Sequence, residues 1–358
     1  MGKAIKGRGS TGRLAGRFEV TTSEAVDDGW HAEEPEEFAE VLPRTVVTEE
    51  TARSIITRNT SPDISFDQSV NPYRGCEHGC SYCFARPSHA YLGLSPGLDF
   101  ETRLFAKTNA PELLRKELAR PGYVPSPIAL GINTDAYQPI ERRLQLTRRV
   151  IEVLAETRHP FTLITKNALV TRDLDLLQPL ARDNLVRVYF SVTTLDNRLS
   201  AALEPRASAP HSRLRAISAM RDAGVPVGVM VAPVIPWVTD HELESILEAV
   251  RAAGAESAGY VLLRLPHEVS PLFRDWLQTH VPDRAPHVMS TINQLRGGKD
   301  YDASFGSRMR GQGVYADLLE RRFQLATRRL GFAPRHDMPL QTALFKPPRA
   351  PSAQGQLF

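Results

Sequence analysis

Six times along this chain a short apolar run rich in β-branched residues is followed by an amphipathic helical stretch, and this alternation constrains the fold more than any other feature. The pairs are ISFDQSVN then APELLRKELAR, IALGIN then ERRLQLTRRVIEVLAETR, FTLITK then LDLLQPLAR, VRVYFSV then SRLRAISAMRDAG, PVGVMVAP then DHELESILEAVRAAG, and AGYVLLRLP then SPLFRDWLQTH. Strand and helix in succession call for parallel neighbours joined by right-handed crossovers, with helices covering the sheet. Runs such as VGVMV and FTLI are apolar on both faces, as a sheet buried on both sides demands. A doubly wound open sheet and a six-unit partial barrel both satisfy the pattern. Polar residues at the C-terminal ends of successive strands favour the barrel, because they would face one shared mouth. They are Asn133, Thr134 and Asp135, then Lys166 and Asn167, then Ser191, Thr193 and Thr194, and finally Arg264. The fold class is read as α/β, a partial (β/α)6 TIM-like barrel.

The alternation also sets the domain boundaries. Residues 1–55 join a Gly/Arg-rich opening to the acidic run DDGWHAEEPEEFAE without periodicity, and read as a poorly ordered arm with local packing through Trp30 and Phe38. Residues 56–290 form the barrel, residues 291–332 a C-terminal helical extension built on VYADLLERRFQLATRRLG, and residues 333–358 a disordered tail. Hydrophobic residues at 42% and charged residues at 24% are ordinary for a globular chain. No apolar run reaches the roughly eighteen residues of a membrane span. The basic N-terminus lacks the apolar core of a secretory signal, so a cytoplasmic location is expected. A net charge of +3 permits nucleic-acid contact without requiring it.

All three cysteines, Cys76, Cys80 and Cys83, fall in NPYRGCEHGCSYCFARPSHAY. Three clustered thiols cannot build a disulfide framework, and close spacing in a reducing compartment points to metal. Closed metal sites take four protein ligands, so three leave a position open. Zinc with His78 or His89 as fourth ligand is one reading, although structural zinc sites more often pair CxxC units across a longer loop. The other reading is an iron-sulfur cube, with the loop wrapping one corner and Gly75 and Gly79 letting the backbone pass close.

The CxxxCxxC spacing, with the aromatic Tyr82 before the last cysteine and the strand-helix series around it, resembles the radical S-adenosylmethionine superfamily over roughly residues 60 to 290. Within it, NPYRGCEHGCSYCFARPSHAY, GINTDAYQPIE, ITKNALVTRDLDLL, SVTTLD, EPRA and APVIP are similar to the branch of spore photoproduct lyase and DNA repair photolyase-like proteins. The resemblance implies an enzyme, a lyase or modifying enzyme, that holds a 4Fe-4S cluster on Cys76, Cys80 and Cys83 and binds S-adenosyl-L-methionine at the open iron. It further implies a flavodoxin- or ferredoxin-type electron donor.

The ligand's carboxylate, ammonium group, ribose and adenine would then be met at the strand ends. Asp135 is the candidate for the ammonium group and Lys166 for the carboxylate. Ser191 or Thr193, with Thr134 beside them, would serve polar contacts, and Tyr82 with the Val231 to Ile235 run would flank the adenine. As ordinary structure, Asp135 would cap a helix, Ser191 and Thr193 would end a strand and Lys166 would be a strand-end cation. Arg206 and Arg264 are candidates for a substrate anion, or for ion pairs with Glu204 or Glu268. Spore photoproduct lyases use an additional cysteine near the end of the second strand as hydrogen donor. GINTDAYQPIE has none, which makes Tyr137 the candidate donor or the reaction a different one.

The substrate expected from the resemblance is a nucleic acid, damaged DNA included. RGGKDYDASFGSRMRGQG, with Tyr301 and Phe305, has the mixture that phosphate contacts and base stacking use, and would equally make a lid. Radical modification of a protein, RNA or small metabolite is the alternative enzyme reading. A zinc-stabilised nucleic-acid-binding module is the non-enzyme one. In the tail, Gln341 to Phe345 and Gln354 to Phe358 repeat a QxxLF pattern similar to bacterial sliding-clamp motifs, the alternative being Leu-Phe pairs packed back on the barrel.

Overall fold

The computed structural model describes residues 5–19, 44–334 and 339–348. Trp30, Phe38 and the second QxxLF pattern, Gln354 to Phe358, lie outside them. Ten strands follow in order: β1 (Val46–Glu50), β2 (Ile56–Arg58), β3 (Gln68–Val70), β4 (Tyr73–Arg74), β5 (Arg103–Lys107), β6 (Ile128–Leu130), β7 (Phe161–Thr165), β8 (Val186–Ser191), β9 (Val227–Val234) and β10 (Ser257–Leu262). Seven form one sheet in the order β10-β9-β8-β7-β6-β3-β2. From β3 to β10 every neighbouring pair is parallel, and β2 adds an antiparallel edge. The architecture is a mixed α/β fold of mostly parallel strands, open rather than closed into a barrel. Leu130, Leu163, Val188, Phe190 and Val229 are fully buried beneath the helices, which is why the strands read as continuous apolar runs.

The expected strand in ISFDQSVN shortens to Gln68–Val70. The helix expected across residues 141–158 is broken at Gln145, whose φ of 51° lies in the left-handed region. Glu141 explains the restart: its carboxylate accepts from the amides of Thr147 (3.0 Å) and Arg148 (3.3 Å), donors that a helix start leaves open. A second sheet, β1-β5-β4, has no counterpart in the sequence reading. It matters because β4 enters and β5 leaves the cysteine loop, pinning both ends of it.

The described stretches of the expected arm and tail differ from that reading. Instead of a poorly ordered arm, residues 5–19 pack against the cysteine loop, and β1 pairs in parallel with β5 from Val46 to Glu50. Instead of a disordered tail, residues 339–348 dock at the N-terminal ends of the strands. Gln341 N–H donates to Asn184 (2.9 Å), Lys346 N–H to Thr157 (2.8 Å), and the Phe345 ring lies 5.2 Å from His159 and 5.5 Å from Tyr123. The Leu-Phe pair of the first QxxLF pattern thus packs on the barrel, and a clamp would have to pull it off.

Burial lowers the His159 pKa to about 4. An unfolded histidine near 6.5 binds the proton that the folded one refuses, so this contribution is present above pH 6.5 and is lost as pH falls toward 4. Urea unfolding of the apo-protein should lose stability across that window with a slope of up to about 1.4 kcal/mol per pH unit, and His159→Gln should flatten it. An unchanged slope in the variant would show that His159 does not drive it.

Candidate metal centre and cofactor pocket

The cysteine loop runs from Gly75, after β4, to the helix Leu98–Thr102. Gly75 (φ 74°) and Gly79 (φ 66°) turn it in the left-handed region. A Cβ at Gly79 would stand 2.7 Å from the Glu101 carboxylate, and one at Gly75 would stand 2.9 Å from the Phe100 carbonyl oxygen. These glycines therefore permit close approach to the protein's own helix as well as to anything the thiols hold.

Arg86, wholly buried, organises the loop. Its Nε donates to Cys80 O (2.9 Å), Nη1 to Pro96 O (3.1 Å) and Gly97 O (2.9 Å), and Nη2 to Gly79 O (3.2 Å) and Glu101 (2.5 Å). All five guanidinium N–H groups have acceptors, which is what allows the charge to sit without water. Glu101, equally buried, accepts further from the amides of Gly9 (3.0 Å) and Ser10 (2.9 Å) and so binds the N-terminal strap to the loop.

A second buried pair stands on the other side. Glu204 is hydrogen bonded to Arg213, Tyr82 and Thr193, the last at 2.7 Å. Burial would raise its pKa, but Arg213 and Lys166 pull it down to about 2. Tyr82 and Thr193 are thus committed to Glu204, and Thr193 also reaches Ala232 O (3.2 Å). The Lys166 ammonium lies 5.9 Å from the Tyr82 ring centre, beside the loop.

Several residues singled out in the sequence serve the protein itself. Asp135 does not await a ligand: its carboxylate accepts from Thr165 (2.7 Å) and the amides of Lys166 (2.7 Å) and Tyr137 (2.9 Å), with His78 Nδ1 at 3.3 Å. Burial opposes its ionisation, yet His78 and these donors bring its pKa to about 2. Thr134 donates to Tyr73 O (3.1 Å), and Ser191 O accepts from Arg213 (2.8 Å). Tyr137 has no exposed surface and its hydroxyl donates to Asp173 (2.8 Å), so it does not serve the mouth as a hydrogen donor. Arg206 pairs with Glu77 (3.1 Å), not Glu204 or Glu268. Arg264 lies 5.5 Å from the centre of the exposed Phe84 ring and 5.8 Å from that of Tyr301, donating to the Tyr301 hydroxyl (3.2 Å). The residues missed in the sequence are Arg86, Glu101 and Arg213, while Glu204, expected as an ion-pair partner of Arg206 or Arg264, pairs with Arg213 instead. An arginine or glutamate on a helix reads as solvated surface until its burial is known.

What remains uncommitted is sulfur. Cys76 and Cys80 are buried, Cys83 is partly exposed, and none forms a disulfide. Burial, with Asp135 and the neighbouring thiols adding to it, pushes Cys76 well above its ordinary pKa, and burial pushes Cys80 up to about 12. Such thiols ionise when a cation arrives, as metal ligands do. Ser81, between Cys80 and Cys83 in sequence, has a buried Oγ without a hydrogen-bond partner among the described residues. Of the proposed fourth zinc ligands, His78 stands between Asp135 and Asn167, each 3.3 Å from one of its nitrogens, and His89 Nε2 lies 2.9 Å from Arg103 O while its Nδ1 has no hydrogen-bond partner among the described residues. Among the described residues no three His, Cys, Asp or Glu groups converge on one metal ion, as tetrahedral zinc requires. Three thiolates that each bind a separate iron need not converge, and the donor set fits an iron-sulfur cluster.

Comparison with known proteins agrees with this geometry. A family model described as the Radical SAM superfamily matches residues 70–250. Uncharacterised proteins of Mycobacterium tuberculosis and Mycobacterium bovis are 40% identical over 222 residues, 62% of this chain and 65% of theirs. The match thus spans less than two thirds of those relatives. An uncharacterised protein of Methanocaldococcus jannaschii is 25% identical over 173 residues, 48% of this chain and 62% of its own. Among solved structures, spore photoproduct lyase complexed with dinucleoside spore photoproduct shares the fold with a TM-score of 0.55 at 15% identity, covering 80% of each chain.

Replacing Arg86 with Met should cost about 3–5 kcal/mol, because Glu101 would be left buried and unpaired. Urea unfolding of the apo-protein measures this directly. A loss under about 1 kcal/mol would remove Arg86 from its organising role.

Proposed function

This chain belongs to the radical SAM superfamily, and on that premise we propose that it is an enzyme holding a 4Fe-4S cluster on Cys76, Cys80 and Cys83 and using S-adenosyl-L-methionine to act on a nucleic acid. When bound, the cluster, reduced by a flavodoxin- or ferredoxin-type donor, supplies the electron that splits S-adenosylmethionine and yields a 5′-deoxyadenosyl radical able to remove hydrogen from substrate. The observation that carries the reading is the set of three uncommitted thiols in a loop whose backbone is held by Arg86.

The chain's own residues bind, orient and exclude water. Arg86 fixes the carbonyls of Gly79 and Cys80, which sets where the thiols stand. Lys166, beside Tyr82, offers a cation to the carboxylate of S-adenosylmethionine, and Ser81 Oγ offers a hydrogen bond within the loop. Glu204 and Arg213 hold Tyr82 and Thr193 still behind them. The six parallel strands act as a partial barrel whose C-terminal ends form the mouth. The extension 291–332 lies beside it: Tyr301 and Met309 meet Arg264, and Arg308, paired with Asp63, lies 4.8 Å from the Phe305 ring centre.

A nucleic acid is favoured by the exposed aromatics Phe84 and Phe305 set against Arg264 and Arg308, a stacking surface beside cations, and by the fold shared with a lyase whose structure holds a dinucleoside. With all three cysteines in the loop and Tyr137 sealed in the core, the hydrogen donor to a product radical that the reaction itself would supply is 5′-deoxyadenosine, which would give back the hydrogen it took.

Anaerobically reconstituted protein should bind about four irons per chain, little zinc, and release 5′-deoxyadenosine from S-adenosylmethionine with dithionite. Cys80→Ala should lose both the iron and the product. Stoichiometric zinc without cleavage would overturn the reading.

A further inference from the structure

A cavity of about 460 Å³ opens against the cysteine loop and is lined by Lys6, Arg8, Arg44, Thr45, Glu77 and Arg206. Four cations meet one carboxylate there. Three separate parts of the chain supply them: the N-terminal strap, the residues leading into β1, and the turn after the helix Asn197–Leu203. The assembly is built rather than incidental. Arg8 is fixed by donating to Glu101 O (3.0 Å) and Thr45 Oγ1 (3.2 Å), and Thr45 in turn donates to Glu77 (2.8 Å). Glu77, next to Cys76, also pairs with Arg206 (3.1 Å), whose amide donates to His78 O (3.3 Å). Burial and the nearby Arg206 both lower the Arg8 pKa, the mark of cations held together against their repulsion. No ion pair among the described residues engages Lys6 or Arg44.

We infer that this cavity is the phosphate-binding subsite of the enzyme, holding a phosphate of the substrate so that the attached nucleoside reaches the mouth beside the cysteine loop. Glu77 pairs with Arg206, and Lys6 and Arg44, which have no ion pair among the described residues, are the cations left to meet the charge of a phosphate. The arginine forks suit its oxygens. The volume lies in the range of small-ligand sites and admits a nucleotide-sized group. The inference rests on the nucleic-acid reading above and adds to it the anchor for the phosphate. A phosphodiester within a strand and the phosphate of a free nucleotide share this chemistry.

The test uses reconstituted protein and fluorescence anisotropy with a short labelled single-stranded oligonucleotide, and adenosine monophosphate as competitor. Lys6→Glu and Arg44→Glu should each weaken binding about tenfold and reduce the dependence of log Kd on log salt by about one charge. Arg44→Lys should retain most of the affinity, and Arg329→Glu, on the helix Val314–Arg329, should leave it unchanged. Failure of the monophosphate to compete would identify a strand phosphodiester as the ligand, and full competition would identify a free nucleotide. Wild-type protein that binds neither probe, or reversals that match Arg329→Glu, would overturn the inference. Intact probe binding without any 5′-deoxyadenosine would instead sink the proposed function and leave the phosphate subsite standing.

Discussion

The structure around the cysteines depends on one buried ion pair. Arg86 and Glu101 are both shielded from water, a costly arrangement that survives only when every donor and acceptor has a partner. Arg86 meets that condition with five acceptors, four of them carbonyls of the cysteine loop. Glu101 meets it with Arg86 and the amides of Gly9 and Ser10. One pair thus fixes the loop, the helix that follows it and the strap that covers it. Gly79 and Gly9 are small because these three segments touch: a Cβ at Gly9 would overlap the Gly79 carbonyl.

Glu204 and Arg213 repeat the device on the far side, with Tyr82 and Thr193 as the hydroxyls they hold. Between two satisfied ion pairs the backbone of the loop is held from both sides. Preorganisation of this kind puts the cost of ordering the site into folding rather than binding. It also explains why so many polar residues near the mouth, Asp135 and Thr134 among them, bind protein atoms. They belong to the frame of the site.

The charges divide in the same way. Some of the arginines that stand in adjacent pairs along the sequence are engaged by carboxylates: Arg148 by Asp173 and Asp175, Arg322 by Glu244, Arg329 by Glu248. A mild net charge therefore hides a local excess among the described residues, where Lys6, Arg8, Arg44 and Arg206 line one cavity with Glu77 beside the cysteines. The excess arises only when the two ends of the N-terminal segment come together on the loop. That is also what encloses the cavity.

Periodicity determined the six strand-helix units, since a parallel sheet covered by helices leaves an apolar strand and an amphipathic helix in every repeat. Cysteine spacing determined that the loop is the candidate metal site, because three thiols so close in sequence have few other uses. Neither signal extends to β1, β4 and β5, which are short and half-exposed and become strands only by pairing with one another. Nor does either separate a ligand-binding side chain from a framing one: Asp135 and Lys166 both sit at strand ends, and only their neighbours divide them, with His78 and Thr165 closing on the first and the Tyr82 ring beside the second. The same holds for Tyr137, a plausible hydrogen donor by position whose hydroxyl the fold turns to Asp173. Sequence records which groups are present near a strand end, and the tertiary structure decides which of them are already satisfied, because hydrogen-bond partners come from segments dozens of residues away.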